Sequence, residues 1–191
     1  MSDQDLGLED SRVTLRRVSP ADAEMIYAWR SESSTRRYQP IRQIPLDAVR
    51  EQLIHRSRQP IDPSFDSAAQ WVVQAAGTSV GWMSLEVVSR EHRLGSVGYT
   101  IAEQFWGHGY ASAGLKAVLD IALSPEGANL WRVEAVAAVT NGASRRVLEK
   151  AGFQEEGIAR EYLEINGARI DHVRVAILRP GWVALRAAHS S

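Results

Sequence analysis

The feature that most constrains this chain is a glycine-containing junction between a strand-like segment and a helix-like one. Residues 104–111 read Q-F-W-G-H-G-Y-A, with glycines at Gly107 and Gly109. The first amide groups of a helix have no partner inside the helix and carry partial positive charge. Glycines beside them let a pyrophosphate approach the main chain, because no Cβ stands in the way. The junction therefore favours a site for a nucleotide-like ligand.

A Gly-x-Gly pair alone is a weak signal, because tight turns and close helix packing use the same residues. A second strand–helix junction strengthens it: Asn141 and Ser144 open a helix-like segment that ends at Gly152 and Phe153. In this order the two junctions resemble the acetyl-CoA site of the GNAT superfamily of N-acetyltransferases. The W-G-x-G-Y-A form of the first loop resembles its RimJ/RimL-type branch, and the resemblance runs from about Arg12 to Trp182.

The resemblance implies that acetyl-CoA binds across both junctions. Main-chain groups of residues 99–103 would align the pantetheine arm as an added strand does, and amides from Trp106 to Ala111 would hold the pyrophosphate. The residues expected to bind the cofactor are Tyr99, Ile101, Gln104, Trp106, Gly107, His108, Gly109, Tyr110, Ala111, Asn141 and Ser144.

Two proton transfers need side chains of their own. The resemblance implies that Ser144 or a water molecule protonates the leaving thiolate, since Val175 stands where relatives commonly carry tyrosine. Asn141 and Ser144 are also ordinary helix-capping residues, and Asn141 can both cap the helix and contact the cofactor. The incoming ammonium must lose a proton before it can react. Glu103 is the predicted base, and the other candidates by location are Glu161, Glu164 and His108.

Composition limits the classes of function. With 191 residues and 45% hydrophobic content the chain suits one domain, predicted over residues 12–182, with mobile segments at 1–11 and 183–191. Lys and Arg number 22 against 23 Asp and Glu, so charge gives no support for nucleic-acid or anionic-membrane binding. No apolar run approaches the roughly twenty residues that span a bilayer, and a cytoplasmic location is expected.

Cysteine is absent from the sequence, which excludes disulfides, thiolate zinc sites and an acyl-cysteine mechanism. Direct transfer of the acyl group is then the simpler scheme. The five histidines are scattered without metal-ligand spacing, so we expect no metal.

The order of predicted elements indicates the fold class. Three apolar segments over residues 71–76, 80–88 and 96–102 predict an antiparallel meander, which strands and helices then follow in alternation. Asn166-Gly167 predicts a type I′ turn in a terminal hairpin. We therefore expect an α/β (α+β) protein with a GNAT-like mixed, mostly antiparallel central sheet and helices on both faces.

The function implied by the resemblance is transfer of an acetyl group from acetyl-CoA to a primary amine, either a peptide N-terminus or a small-molecule amine. The missing tyrosine and the unassigned base leave open an alternative, a non-catalytic acyl-CoA-binding sensor. The sequence does not fit a nicotinamide dehydrogenase, because neither the G-x-G-x-x-G motif nor the acidic residue that follows it accompanies Gly107 and Gly109. The resemblance also suggests a homodimer.

Overall fold

The computed structural model describes residues 13–41, 44–58 and 67–189. The segment predicted to be mobile at residues 1–11 lies outside them. In chain order the elements are β1 (Thr14–Arg17), a 3₁₀ turn (Pro20–Asp22), α1 (Ala23–Ser31), α2 (Ser33–Arg36), α3 (Leu46–Arg58), β2 (Ala68–Ala75), β3 (Thr78–Ser89), β4 (Leu94–Ile101), a second 3₁₀ turn (Glu103–Phe105), α4 (Tyr110–Leu123), β5 (Arg132–Ala138), α5 (Gly142–Lys150), β6 (Gln154–Ile165), β7 (Ala168–Leu178) and α6 (Arg179–His189).

The strands form one sheet in the order β1-β2-β3-β4-β5-β7-β6. Strands β4 and β5 pair in parallel, and the other neighbours are antiparallel. The predicted mixed, mostly antiparallel sheet is thus confirmed. The terminal hairpin enters the sheet through its second strand, so that β7 lies between β5 and β6.

Helices cover both faces of the sheet. In β2, Trp71 and Val73 belong to a core that includes Leu119 of α4, whereas Val72 belongs to a second core with Ile26 of α1. Successive residues of a strand point to opposite faces. Helices α1 and α3 therefore lie on one face and α4 on the other, as the sequence predicted.

A buried carboxylate fixes the start of the first helical segment. Asp22 accepts hydrogen bonds from the Ser19 amide at 2.7 Å and from Arg16 Nη2 at 2.7 Å. Burial alone would raise the pKa of Asp22, but these hydrogen bonds outweigh it and lower the pKa below its usual value. The contact joins β1 to the segment that carries α1.

Two hairpin turns use positive φ angles. Asn166 and Gly167 have φ values of 52° and 79°, as the predicted type I′ turn requires. The turn between β2 and β3 uses Ala76 and Gly77, with φ values of 48° and 78°. It falls one residue earlier than the predicted break at Gly77-Thr78.

The end of the chain forms a helix where a mobile segment was expected from residue 183. Helix α6 continues to His189. Trp182 Nε1 donates to Asp120 Oδ1 at 2.8 Å, and Arg186 pairs with the same carboxylate at 2.6 Å. These two contacts dock α6 on α4, which no local pattern in the sequence indicates.

Candidate active site

A wedge opens in the middle of the sheet between β4 and β5. The two strands pair over three residues each, from Leu94 to Ser96 and from Arg132 to Glu134. Beyond this point β5 continues along β7 as far as the pair Ala138–His172, whereas β4 continues along β3. The separating strands leave one edge of β4 without a partner strand.

The open edge of β4 presents main-chain groups of Tyr99 and Ile101. The Ala102 amide donates to Val80 in β3, so alternation along the strand points the groups of Tyr99 and Ile101 the other way. Gln39 Nε2 donates to the Tyr99 carbonyl at 3.0 Å, and Trp106 Nε1 donates to the Ile101 carbonyl at 2.7 Å. Both carbonyls therefore already have donors, and the N–H groups of the same two residues face the wedge.

The glycine loop leaves a row of unpaired amides at the start of α4. The first bond of the helix runs from the Ala113 amide to the Gly109 carbonyl. Amides of residues 107–112 have no acceptor within the described part of the chain. Gly107 and Gly109 adopt φ values of 81° and 82°, which few other residues accept. The expectation for Trp106 needs correcting: its amide donates to the Glu103 carbonyl at 3.1 Å, because the preceding 3₁₀ turn supplies that acceptor.

A second helix begins at the same groove. Asn141 caps α5, and its Oδ1 accepts the Ser144 amide at 3.1 Å. Residues from both helix starts line one cavity of about 640 Å³, and Arg146 and Lys150 of α5 also line it. Their spacing of four residues places these two cations on one face of the helix, a pattern that the sequence analysis did not use.

Most of the predicted cofactor residues meet in this cavity, which we call the donor groove. The predicted residues that line it are Tyr99, Ile101, Trp106, Gly107, Gly109, Tyr110, Ala111, Asn141 and Ser144. Gln104 and His108 are exposed and lie outside its lining. The His108 ring stacks on Tyr110 with centroids 5.5 Å apart, and its Nδ1 lies 2.9 Å from the Trp106 carbonyl. His108 thus supports the shape of the loop.

Two hydroxyls meet where the donor groove joins a second cavity. Tyr99 Oη and Ser144 Oγ are 2.8 Å apart. Burial raises the pKa of Tyr99 to about 12, although the hydrogen bond with Ser144 acts in the opposite direction. The phenol is therefore neutral at physiological pH. Both residues line both cavities, so the pair stands at the junction between them.

The second cavity, of about 880 Å³, is named here the acceptor cavity. Residues from α1, α3, β2, β5 and β7 contribute to its wall. His172 lies in that wall and is 2% exposed. Its Nδ1 is 2.9 Å from the Ile170 carbonyl. A carbonyl oxygen only accepts, so Nδ1 carries a hydrogen and Nε2 of the neutral ring keeps a lone pair.

The acidic candidates for the base lie elsewhere. Glu103, Glu161 and Glu164 are exposed and outside the lining of both cavities. The Glu103 amide donates to Glu32, and Glu164 pairs with Arg169 at 3.8 Å. Sequence reasoning passed over His172, because nothing near it in the chain marks it as a site residue. Its place in the cavity depends on the β5–β7 pairing.

Residues 12–154 match the model of the acetyltransferase (GNAT) domain. The chain belongs to this family. It is therefore an acyltransferase whose donor is acetyl-CoA, and the GNAT resemblance inferred from the two junctions is confirmed.

Three GNAT relatives extend this match. The uncharacterized N-acetyltransferase YoaA of Bacillus subtilis (strain 168) is 29% identical over 175 residues, which are 91% of this chain and 97% of that protein. The ribosomal protein uS5-alanine N-acetyltransferase of Escherichia coli (strain K12) is 33% identical over 86 residues, 45% of this chain and 43% of that enzyme. The structure of Mycobacterium smegmatis RimJ in complex with CoA-disulfide has a TM-score of 0.77 at 27% identity, covering 93% of this chain and 89% of RimJ.

Over residues 13–41, 44–58 and 67–189, no three His, Asp or Glu side chains gather closely enough to hold a metal ion. Among the helices of these ranges, none has the length and apolar character needed to span a bilayer.

Proposed function

We propose that this GNAT enzyme transfers the acetyl group directly to a primary amine in a ternary complex. One observation carries the proposal: the donor groove and the acceptor cavity meet at the Tyr99–Ser144 hydroxyl pair. Direct transfer requires that donor and acceptor reach one point from two sides, because the reacting atoms must approach within about 3–3.5 Å.

The donor groove fits the phosphates and the amide-rich arm of acetyl-CoA. Unpaired amides of residues 107–112 can donate to phosphate oxygens, and Arg146 and Lys150 add positive charge along the same groove. The N–H groups of Tyr99 and Ile101 can align the pantetheine arm, as sequence analysis expected. Bound there, acetyl-CoA supplies an acyl group that is activated as a thioester.

Ser144 is placed to donate a hydrogen bond to the sulfur as negative charge develops on it. Tyr99 Oη lies 2.8 Å from Ser144 Oγ and 3.2 Å from the Ser144 carbonyl oxygen, and its hydrogen can be donated to either. When Tyr99 donates to Ser144 Oγ, the Ser144 hydrogen is free to point at the sulfur. Complete transfer from a phenol of pKa about 12 to a thiolate with a reference pKa of about 8.5 is uphill by about 5 kcal/mol. Tyr99 therefore orients Ser144, and the proton released by the amine balances the reaction.

We propose His172 as the group that receives the proton of the incoming amine. It lines the acceptor cavity together with Asn141 and Ser144, and its Nε2 has a lone pair when the ring is neutral. Glu103, which the sequence analysis named as base, is less well placed because it is outside the cavity.

The proposed acceptor is a protein N-terminal α-amine or a small-molecule amine. The relative from Escherichia coli is named for acetylating an alanine of ribosomal protein uS5, which supports the first. An α-amine with a pKa of about 7.7–8.0 also needs less help from a base than a lysine-like amine near 10.4.

A thiol-release assay tests this function. Free CoA thiol is measured with acetyl-CoA and a panel of peptides and small amines, beside calorimetric titration of acetyl-CoA. We expect binding of acetyl-CoA and amine-dependent release of thiol. Binding without release for every amine would favour the non-catalytic sensor.

His172→Asn tests the proposed base. Asparagine keeps an N–H near the position of Nδ1 but has no titratable nitrogen. We expect kcat/KM to fall by about 10²–10⁴, with the larger loss for a lysine-like amine. An unchanged kcat/KM for every acceptor would remove His172 from the mechanism. The homodimer remains a proposal from the family resemblance, which sedimentation at micromolar concentration tests. The cytoplasmic location remains an expectation from the sequence.

A further inference from the structure

Two guanidinium groups line the acceptor cavity at the end formed by α1 and α3. Arg30 lies in the last turn of α1, and Arg56 lies near the end of α3. Both side chains are partly buried. Within the described ranges, neither forms an ion pair. Their hydrogen-bond partners are neutral amides: Arg30 donates to Gln52 at 3.3 Å and Arg56 to Gln70 at 3.1 Å.

This arrangement lacks the counter-charge that partly buried arginines usually have. Removing a cation from water is unfavourable unless an anion compensates it. Burial lowers the pKa of Arg30, and the charge of Arg56 lowers it further. Each guanidinium therefore raises the positive potential at the other, and an anion between them would relieve both effects.

The other charged and polar side chains that line the acceptor cavity are also compatible with an anionic ligand. Among the described residues that line the cavity, Glu51 is the one carboxylate, and it is exposed. Together with the two guanidiniums, these groups carry a net charge of +1. Trp82 lines the same cavity, and its Nε1 is a buried donor without an acceptor in the part of the chain that the structure describes. The charged side chains of the described wall thus favour an anion.

We propose that Arg30 and Arg56 bind an anionic group of the acceptor, a carboxylate or a phosphate carried by the same molecule as the amine. The inference rests on the proposed function, since it places the amine at the Tyr99–Ser144 end and the anion at the α1–α3 end of one cavity. It also disfavours polyamines, whose additional ammonium groups would be repelled by the two guanidiniums.

Matched acceptors test the charge preference. The panel compares the peptide amides Ser-Glu-Glu-Ala, Ser-Ala-Ala-Ala and Ser-Lys-Lys-Ala, then phosphoethanolamine with ethanolamine, and includes spermidine. We expect kcat/KM for at least one anionic acceptor to exceed its neutral partner by about tenfold or more, and the basic peptide and spermidine to be poorest. The two pairs distinguish a peptide carboxylate from a small phosphate.

Substitutions of the two arginines test whether they cause the preference for anionic acceptors. Arg30→Gln and Arg56→Gln should each lower kcat/KM for the anionic acceptor more than for the neutral peptide, so that most of the anionic preference is lost. Arg58→Gln removes the same charge from an exposed site on α3 outside the cavity lining and serves as the control. Equal rates for anionic and neutral acceptors, or equal losses in the control, would overturn the proposal.

A binding measurement separates this inference from the proposed function. The preferred anionic acceptor is titrated calorimetrically into the protein saturated with CoA, which permits no transfer. We expect the dissociation constant to rise about tenfold or more in the Arg30→Gln, Arg56→Gln double variant. Thiol release without charge preference would leave the function standing and remove the subsite. Charge-dependent binding without thiol release for any amine would leave the subsite standing and remove the proposed function.

Discussion

At the scale of single residues, the active site depends on side chains whose direction is set by their partners. The Ser144 amide is held by the Asn141 cap, and the Ser144 hydroxyl is held by Tyr99. One residue thus joins the start of α5 to the open edge of β4. Because both hydrogen bonds act on Ser144, the catalytic role proposed for Ser144 is compatible with helix capping by Asn141.

The hydroxyl pair gives the first prediction. Ser144→Ala removes the hydroxyl proposed to donate to the sulfur and should lower kcat by about 10²-fold. Tyr99→Phe keeps that hydroxyl but removes the phenol that orients it, and should lower kcat by about tenfold. Steady-state kinetics measure both, and KM for acetyl-CoA should change little. In the double variant the losses should not multiply, because Tyr99 acts through Ser144. A fully multiplicative loss would show that Tyr99 acts independently.

Asp22 gives a prediction about stability and pH. Its pKa is lower in the folded protein than in the unfolded chain, so its contribution is present above about pH 4, near the unfolded pKa, and is lost as pH falls through the folded pKa. Asp22→Asn should lower the free energy of unfolding by about 1–3 kcal/mol at neutral pH. Urea unfolding should show this difference shrinking toward about pH 3. Asp47→Asn, with an 88% exposed side chain, is the control and should change stability little.

At the scale of secondary structure, two strand–helix junctions make the donor groove. Helices α4 and α5 start after neighbouring strands that diverge, so their unpaired amides face the same cavity. Helix α5 also carries Arg146 and Lys150 toward this cavity. An anionic ligand there would meet two helix starts and two cations.

The basic face of α5 leads to a prediction for donor binding. Arg146→Gln together with Lys150→Gln should weaken CoA binding about tenfold, because two charges near the phosphates are lost. The difference should decrease at high salt, since both side chains are exposed. Calorimetric titration at two salt concentrations measures it. Arg160→Gln, on exposed β6 outside the groove, is the control. An unchanged dissociation constant in the double variant would remove both residues from the groove's function.

At the scale of the whole molecule, the sheet separates two cores and supplies both cavities. Helix α4 packs on one face, and α1 and α3 pack on the other. The donor groove uses the starts of α4 and α5, while the acceptor cavity is walled in part by α1 and α3. A bound donor therefore contacts parts of the fold that are far apart in the chain.

Ligand binding should consequently stabilise the entire fold. A donor present at 100 times its dissociation constant adds about 2.7 kcal/mol to the free energy of unfolding. For a chain of this length that corresponds to a rise in Tm of about 5–10 °C. Thermal unfolding with and without acetyl-CoA measures the shift. No shift at saturating ligand would contradict binding to the folded state in this groove.

The sequence predicted local structure well where the signal was local. Val49, Leu53 and Ile54 recur at helical spacing within residues 46–58, and this segment forms α3. The Asn166-Gly167 turn was predicted from its two residues alone. Helix α6 was missed because its docking depends on Asp120, which lies 62 residues before Trp182. A contact between distant segments has no signature in either one.

The sequence by itself determined the strands, the helices other than α2 and α6, the glycine loop and the Asn141 cap, because each follows from residues close together in the chain. Only the tertiary structure decided that β7 enters beside β5 and that β4 and β5 separate. That arrangement brings Tyr99 to Ser144 and sets His172 in the acceptor cavity. The physical reason is that strand order depends on how side chains from distant segments pack together, which no short stretch of sequence contains.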